Sequence, residues 1–320
     1  MMKPKIYVTR KLSSKYIEKF EDNYEIKMWH MEEEPVPREI LIEEIKDTDA
    51  LFCLISEKID EELLKNAQQL KVISNMAVGF DNIDIMTAKE LGIIITNTPD
   101  VLTETTADLT FGLLMATARR LVEANNYIKE NRWTEWAPFM LAGSDIHHKT
   151  IGIVGMGRIG EAVARRAKGF GMNIIYHNRN KNESFEKEVG ASYVSLDDLV
   201  SEADFIVSLL PLTSQTENLF NKRLFDQMKR TAIFINASRG GVVNEQDLYH
   251  TLKNNKIAGA GLDVFKNEPI TNEHPLMSLD NILCLPHIGS ASIETREAMI
   301  CLCLNNIDAV LSGNKPLTEV

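Results

Sequence analysis

Residues Thr150 to Gly160 read TIGIVGMGRIG: an apolar run, a glycine-rich turn, and then the helix-compatible stretch Glu161–Lys168. No other feature constrains the fold as much. A bare Gly-x-Gly-x-x-Gly is weak evidence, but between a strand and a helix it has a mechanism. Gly155 permits the tight turn, Gly157 lets a pyrophosphate approach the backbone, and Gly160 lets helix and strand pack closely. The helix N-terminus at Arg158 and Ile159 supplies oriented N–H groups and a partial positive charge. Dinucleotide binding is the expectation, against the plainer reading of an ordinary strand-to-helix turn.

Around this unit, strand and helix signals alternate from end to end, which predicts α/β architecture with parallel sheets. In the first third, Lys5–Val8, Ala50–Ile55, Val72–Asn75 and Ile93–Thr96 read as short buried strands, with helices over Pro37–Asp47 and Glu61–Ala67. A single long helix is expected from Leu102 to about Lys129. Its apolar residues cover more of the circumference than a surface helix needs, which fits burial inside one chain or in a subunit interface. Beyond the glycine turn, Ile174–Tyr176, Phe205–Val207, Ile233–Ile235, Ala260–Asp263 and Ile282–Leu285 continue the alternation, and a helix from Ser292 to about Leu311 closes it. A chain of 320 residues accommodates two such domains.

Charge and cysteine usage exclude several classes. A formal net charge of −11 argues against nucleic acid and anionic membrane as partners, and requires any anionic ligand to be held by local Arg or N–H groups. No apolar run approaches a membrane span, and MMKPKIYVTR lacks a signal-peptide core, so a cytoplasmic protein is expected. Cys53, Cys284, Cys301 and Cys303 show neither CxxC spacing nor a disulfide framework. No metal-ligand spacing occurs. His147 and His148 read as an exposed polar connection.

An acidic residue about 20 positions beyond the glycines bonds the adenosine ribose in NAD-binding domains. Here the second strand of the unit ends at Asn178, 18 residues after Gly160, with Arg179 next. An amide does not repel a 2′-phosphate, and a guanidinium can pair with it. NADP(H) is therefore favoured, with NAD(H) possible. Arg179 stacking on adenine or pointing to solvent is the alternative.

Three motifs follow predicted strands in succession: Asn236-Ala-Ser-Arg239-Gly-Gly, Gly261-Leu-Asp263 running to Asn267-Glu268-Pro269, and Pro286-His287-Ile-Gly-Ser290. Ligands of doubly wound sheets bind beyond the carboxyl ends of strands, so Arg239, Glu268 and His287 can converge. Each has a bland reading alone. Together they have the chemistry for reducing a 2-oxo acid. A guanidinium grips the carboxylate and polarises the carbonyl, and an imidazolium donates the proton. A neighbouring carboxylate keeps the imidazole charged.

With these motifs and the glycine turn, the chain resembles the D-isomer-specific 2-hydroxyacid dehydrogenase family over its whole length. That resemblance implies Arg239, Glu268 and His287 as the catalytic set. It also implies two Rossmann-like domains with the active site in the cleft between them. The substrate domain would comprise residues 1–98 completed by 288–320, and the dinucleotide domain residues 99–287. Thr106, Pro211, Ala237 and Asp263 match positions that line the cofactor. Ala77 to Asp84 is similar to the loop that, in glyoxylate/hydroxypyruvate reductases, offers backbone N–H groups to the substrate carboxylate, with Val78 and Gly79 at the matching positions. Ser290 falls in the substrate-binding set. Trp133 to Pro138 is similar to a segment that places a tryptophan across a homodimer interface, so Trp136 closes the partner's pocket or anchors its own segment locally.

The implied activity is NAD(P)H-dependent reduction of glyoxylate or hydroxypyruvate. A reductase of a longer 2-ketoaldonate such as 2-ketogluconate, or a non-catalytic nicotinamide-sensing protein, are the alternatives. A long-type phosphoglycerate dehydrogenase is disfavoured because nothing resembling a regulatory domain follows Leu311. Formate dehydrogenase is disfavoured because glutamate, not glutamine, stands at position 268.

Overall fold

Short apolar runs buried on both faces are what parallel sheets covered by helices require. The computed structural model, which describes residues 3–320, builds two such sheets. Its chain divides into one unit running to Leu102 and resuming over Ser292–Val320, and another over Thr103–Ala291.

The first unit holds β1 (Lys5–Val8), β2 (Glu25–Met28), β3 (Ala50–Cys53), β4 (Val72–Asn75) and β5 (Ile94–Thr96), in the order β2-β1-β3-β4-β5, all parallel. Strand β2 escapes sequence reading because its residues, EIKM, alternate between exposed and half-buried at the sheet edge. The Ile293–Leu311 helix packs on β3 and β4. Behind it, buried Asn306 accepts the N–H groups of Leu317 and Thr318, and the Val320 N–H donates to Ile95. The C-terminal segment is thereby built into the first unit's sheet.

The second unit holds β6 (Thr150–Val154), β7 (Asn173–His177), β8 (Ser192–Tyr193), β9 (Phe205–Ser208), β10 (Ile233–Asn236), β11 (Gly259–Leu262) and β12 (Ile282–Cys284). Their order is β12-β11-β10-β9-β6-β7-β8, again all parallel. Two apolar clusters, one on each side of the sheet, contain Phe111, Ile151 and Tyr176 on one side and Phe220, Phe225 and Phe234 on the other.

The expected single helix from Leu102 to Lys129 is two helices, Thr103–Ala118 and Leu121–Lys129. Arg120 breaks it with a left-handed backbone, φ 53°, while its guanidinium bonds Glu123. The first helix uses its broad apolar circumference within its own unit, against β10, β11, β12 and the Arg158–Gly169 helix. Of the two readings of this stretch, burial inside one chain therefore accounts for the first helix. The second helix buries none of its residues and leaves Leu121, Val122 and Ile128 exposed. The unit boundaries fall a few residues from those expected. The reason is local: Thr103 opens the helix that packs on the second sheet, and Ser292 caps the helix that packs on the first. Among the described residues, no helix is long and apolar enough to cross a membrane.

Candidate active site

Strand β6 pairs with β7 on one edge and β9 on the other, so the chain reverses its direction of travel across the sheet there. Such a switch point opens a crevice at the carboxyl end of the strands. The glycine turn occupies it. Gly155 has φ +101°, and a Cβ there would lie 2.7 Å from the Leu209 carbonyl oxygen. A Cβ on Gly160 would lie 2.4 Å from the Gly155 carbonyl oxygen, so only glycine lets the helix reach the turn. Gly157 is the N-cap of the Arg158–Gly169 helix, and a Cβ added to it would meet open space. A tight turn, an open glycine and a helix N-terminus together fit a dinucleotide pyrophosphate.

Asn178 plays a part that its spacing did not reveal. Its Oδ1 accepts the Met156 N–H at 2.7 Å while its Nδ2 donates to the Met156 carbonyl at 3.1 Å. Both ends of the amide therefore hold the glycine turn. Arg179 is exposed and makes no hydrogen bond or ion pair among the described residues. The other expected cofactor positions follow the strands in turn. Pro211 lies beyond β9, Ala237 beyond β10 and Asp263 beyond β11, while Thr106 is buried in the Thr103–Ala118 helix. Asp263 is only 1 % exposed, and its Oδ1 accepts the Ile288 N–H at 2.8 Å. Burial pushes its carboxyl up, against the Ile288 N–H and the His287 charge. Asp263 thus ties down the segment that carries His287.

The motif residues gather at the same end of the sheet. Asn236 closes the β10 turn, its Nδ2 donating to the Arg239 carbonyl and its Oδ1 accepting from Ser238. Arg239 is half-buried and donates from Nη1 to the Ser238 carbonyl. After β11, Glu268 accepts the Phe265 N–H on Oε1 at 2.8 Å and His287 Nδ1 on Oε2 at 2.7 Å. An ionised carboxylate only accepts, so Nδ1 carries hydrogen and Nε2 is the atom left to exchange a proton with a ligand. Burial pushes the Glu268 carboxyl up. The His287 hydrogen bond and charge, the Phe265 N–H and the Arg239 charge overcome that and hold it below the usual value. His287 has a left-handed backbone, φ 54°, a conformation uncommon outside glycine that recurs at active sites. Ser290 follows three residues later, half-buried before the next helix.

In the first unit, the loop after β4 shows how Val78 and Gly79 are held. The Ala77 carbonyl accepts the Thr98 N–H at 2.9 Å, and the Val78 carbonyl accepts Asn97 Nδ2 at 2.8 Å. Buried Asn75 donates to the Gly79 carbonyl, also at 2.9 Å. In a trans peptide, N–H points opposite to C=O. Fixing the Ala77 and Val78 carbonyls therefore turns the Val78 and Gly79 N–H groups away from Thr98 and Asn97. Among the described residues neither N–H has an acceptor. Sequence reading missed Asn75 and Asn97. Their only signal is an amide at each strand end, and the tertiary fold alone shows what it reaches.

Trp136 lies outside any helix or strand and is 77 % exposed, with Trp133 and Phe139 also exposed nearby. Among the described residues it makes no aromatic contact.

A family profile described as "D-isomer specific 2-hydroxyacid dehydrogenase, NAD binding domain" matches residues 111–289. The chain is 48 % identical over 316 residues to a glyoxylate reductase of Korarchaeum cryptofilum, covering 98 % of this chain and 95 % of that protein. It is 47 % identical over 323 residues to a glyoxylate reductase of Thermococcus onnurineus, covering 100 % and 96 %. Among solved structures, an NADPH-dependent glyoxylate/hydroxypyruvate reductase from Sinorhizobium meliloti, in complex with NADP and malonate, is 33 % identical. It superimposes with a TM-score of 0.84, covering 100 % of this chain and 97 % of that one.

Proposed function

Because the chain belongs to the D-isomer-specific 2-hydroxyacid dehydrogenase family, we propose that it reduces a small 2-oxo acid, glyoxylate or hydroxypyruvate, to the D-2-hydroxy acid. The observation that carries this reading is the 2.7 Å bond between His287 Nδ1 and Glu268, with the Arg239 charge acting on the same carboxylate. The glyoxylate reductases it resembles support the substrate class.

The nicotinamide cofactor, when bound, supplies the hydride. Gly155, Gly157 and Gly160, with the backbone of Arg158 and Ile159, would hold its pyrophosphate; Thr106, Pro211, Ala237 and Asp263 would line the rest. Protein groups do the remaining work. The Val78 and Gly79 N–H groups receive the substrate carboxylate, and Ser290 borders the substrate. Arg239 adds a guanidinium that binds the carboxylate and polarises the carbonyl. His287 gives the Nε2 proton to the carbonyl oxygen, and Glu268 stabilises the imidazolium until it does. A nicotinamide sensor without turnover would have no use for this proton donor.

NADP(H) is the preferred cofactor in this proposal, with NAD(H) the weaker one. Asn178 spends its amide on Met156, so the exposed Arg179 is the group available to a 2′-phosphate. The protein is further proposed to act as a homodimer. Leu121, Val122, Ile128, Trp133, Trp136 and Phe139 are exposed apolar side chains close together in sequence, which a partner subunit would cover, and Trp136 would close the partner's pocket.

Nicotinamide absorbance with glyoxylate, hydroxypyruvate and 2-ketogluconate tests the activity. Oxidation of NADPH with the two small acids is expected, and tight cofactor binding with no turnover would support the sensor instead. Arg179→Ala should raise KM for NADPH about ten- to a hundredfold, the worth of one charge-assisted hydrogen bond, and leave KM for NADH nearly unchanged. Equal effects on both would rule out Arg179.

The reduction rate should fall as pH rises, because reduction consumes the proton that His287 donates. Glu268→Gln removes the anion that stabilises the imidazolium, so this limb should move to lower pH; an unmoved profile would make Glu268 structural. Sedimentation should give a dimer at micromolar concentration. Trp136→Ala should lower turnover without weakening cofactor binding, and a native monomer would refute the crossing.

A further inference from the structure

The peptide group joining Phe265 to Lys266 is gripped on both sides. A Cβ on Gly240 would lie 1.8 Å from the Phe265 carbonyl carbon and 2.3 Å from the Lys266 nitrogen, so the turn after Arg239 packs directly against this peptide. From the other side, Glu245 Oε1 accepts the Lys266 N–H at 2.7 Å. Glu245 is the first residue of the Glu245–Lys253 helix, which Asn244 caps by accepting the Asp247 N–H. Its carboxylate is turned inward, with only 18 % of the side chain exposed, and its other oxygen lies 3.4 Å from His274 Nε2. The His274 ring packs edge-on against Phe265 at 5.8 Å. Glu245 therefore reaches both ends of the segment 265–274, and that segment carries Glu268.

One residue back along the chain, the Phe265 N–H donates to Glu268 Oε1, and Oε2 of the same carboxylate holds His287. We propose that Glu245 is a positioning residue for the proton donor. By holding the Lys266 N–H it fixes the rotation of the Phe265–Lys266 segment, so the Phe265 N–H keeps the Glu268 carboxylate turned toward His287 Nδ1. A hydrogen bond from a backbone N–H to a side-chain oxygen is directional, so it selects one orientation of a short loop. Gly240 alone sets how close the peptide sits, not how it is rotated. Glu245 touches neither substrate nor cofactor in this role; it acts through Glu268, and the inference rests on the proton-donor reading above.

Two variants separate reach from charge. Glu245→Gln keeps an oxygen at the Lys266 N–H, whereas Glu245→Asp keeps the charge and withdraws the oxygen by one methylene. Glu245→Asp should shift the reductive pH limb downward by half a unit or more, and lower kcat/KM at neutral pH by up to about tenfold, the upper net worth of one hydrogen bond. Glu245→Gln should leave the limb near its native place. In the Glu268→Gln background, Glu245→Asp should produce no further shift, because the carboxylate it positions is already gone. His274 and Cys284 face Glu245, and Arg239 and Asp263 face the Glu268–His287 pair; none of them is altered.

A shift with Glu245→Gln but none with Glu245→Asp would mean that charge rather than reach matters, and would overturn the proposal. Lower thermal stability with unmoved pH limbs in both variants would reduce Glu245 to a structural residue. If Glu268→Gln moves the limb and Glu245→Asp does not, only the positioning role fails. If Glu268→Gln itself leaves the limb unmoved, the proton-donor reading falls and this role with it.

Discussion

The second unit is organised by one pairing: β6 lies between β7 and β9, in register with both. All seven strands run the same way, so every loop that leaves a strand starts from the same, carboxyl edge of the sheet. The turn after β6, the proline loop after β9, the arginine turn after β10 and the glutamate loop after β11 are neighbours for that reason alone. Residues far apart in sequence, such as Gly155 and Asp263, need no further device to share one edge. Antiparallel insertion of any central strand would send one of these loops to the opposite end.

Parallel geometry also sets a difficulty. Loops that leave a buried sheet end carry backbone groups that water does not reach, and each must find a partner. The chain meets this with amides and carboxylates at strand ends. Asn236 closes the turn after β10, Asp263 takes the Ile288 N–H, Asn178 clasps Met156, and Asn75 takes the Gly79 carbonyl. These side chains satisfy buried backbone and fix the orientation of neighbouring functional groups at the same time. The polar positions of the motifs therefore divide into groups that face a ligand and groups that hold the loops facing it.

That division explains what the sequence made legible. The central strands could be read because burial on both faces leaves β-branched runs such as Ile233 to Ile235, and the glycine turn because it stands between such a run and a helix-compatible stretch. Arg239, Glu268 and His287 stood out because each follows such a run, and the Glu268–His287 bond is the direct outcome. The edge strand β2 was not legible, since a strand exposed along one side loses its apolar signature. Nor was the break at Arg120: residues 116–122 continue the helical pattern, and only the left-handed Arg120 backbone interrupts it. The clasping role of Asn178 was hidden for a different reason. Spacing brings a residue to a strand end without saying which of its neighbours it will bond.

The left-handed backbone at His287 has a consequence for how its chemistry can be isolated. In that conformation an L side chain crowds its own carbonyl, at a cost of roughly 1–2 kcal/mol for most residues, and asparagine and glycine tolerate it best. In the folded protein the imidazole offsets that cost through its bond to Glu268, while Asp263 holds the next N–H in place. Alanine at this position would delete the proton donor and the bond while keeping the crowding. Its loss of activity would then mix chemistry with a relaxed loop. Asparagine occupies the same backbone region readily and carries a short amide that can still donate toward Glu268, yet it has no titratable proton to give. The geometry of the main chain thus decides which replacement reads out the side chain alone.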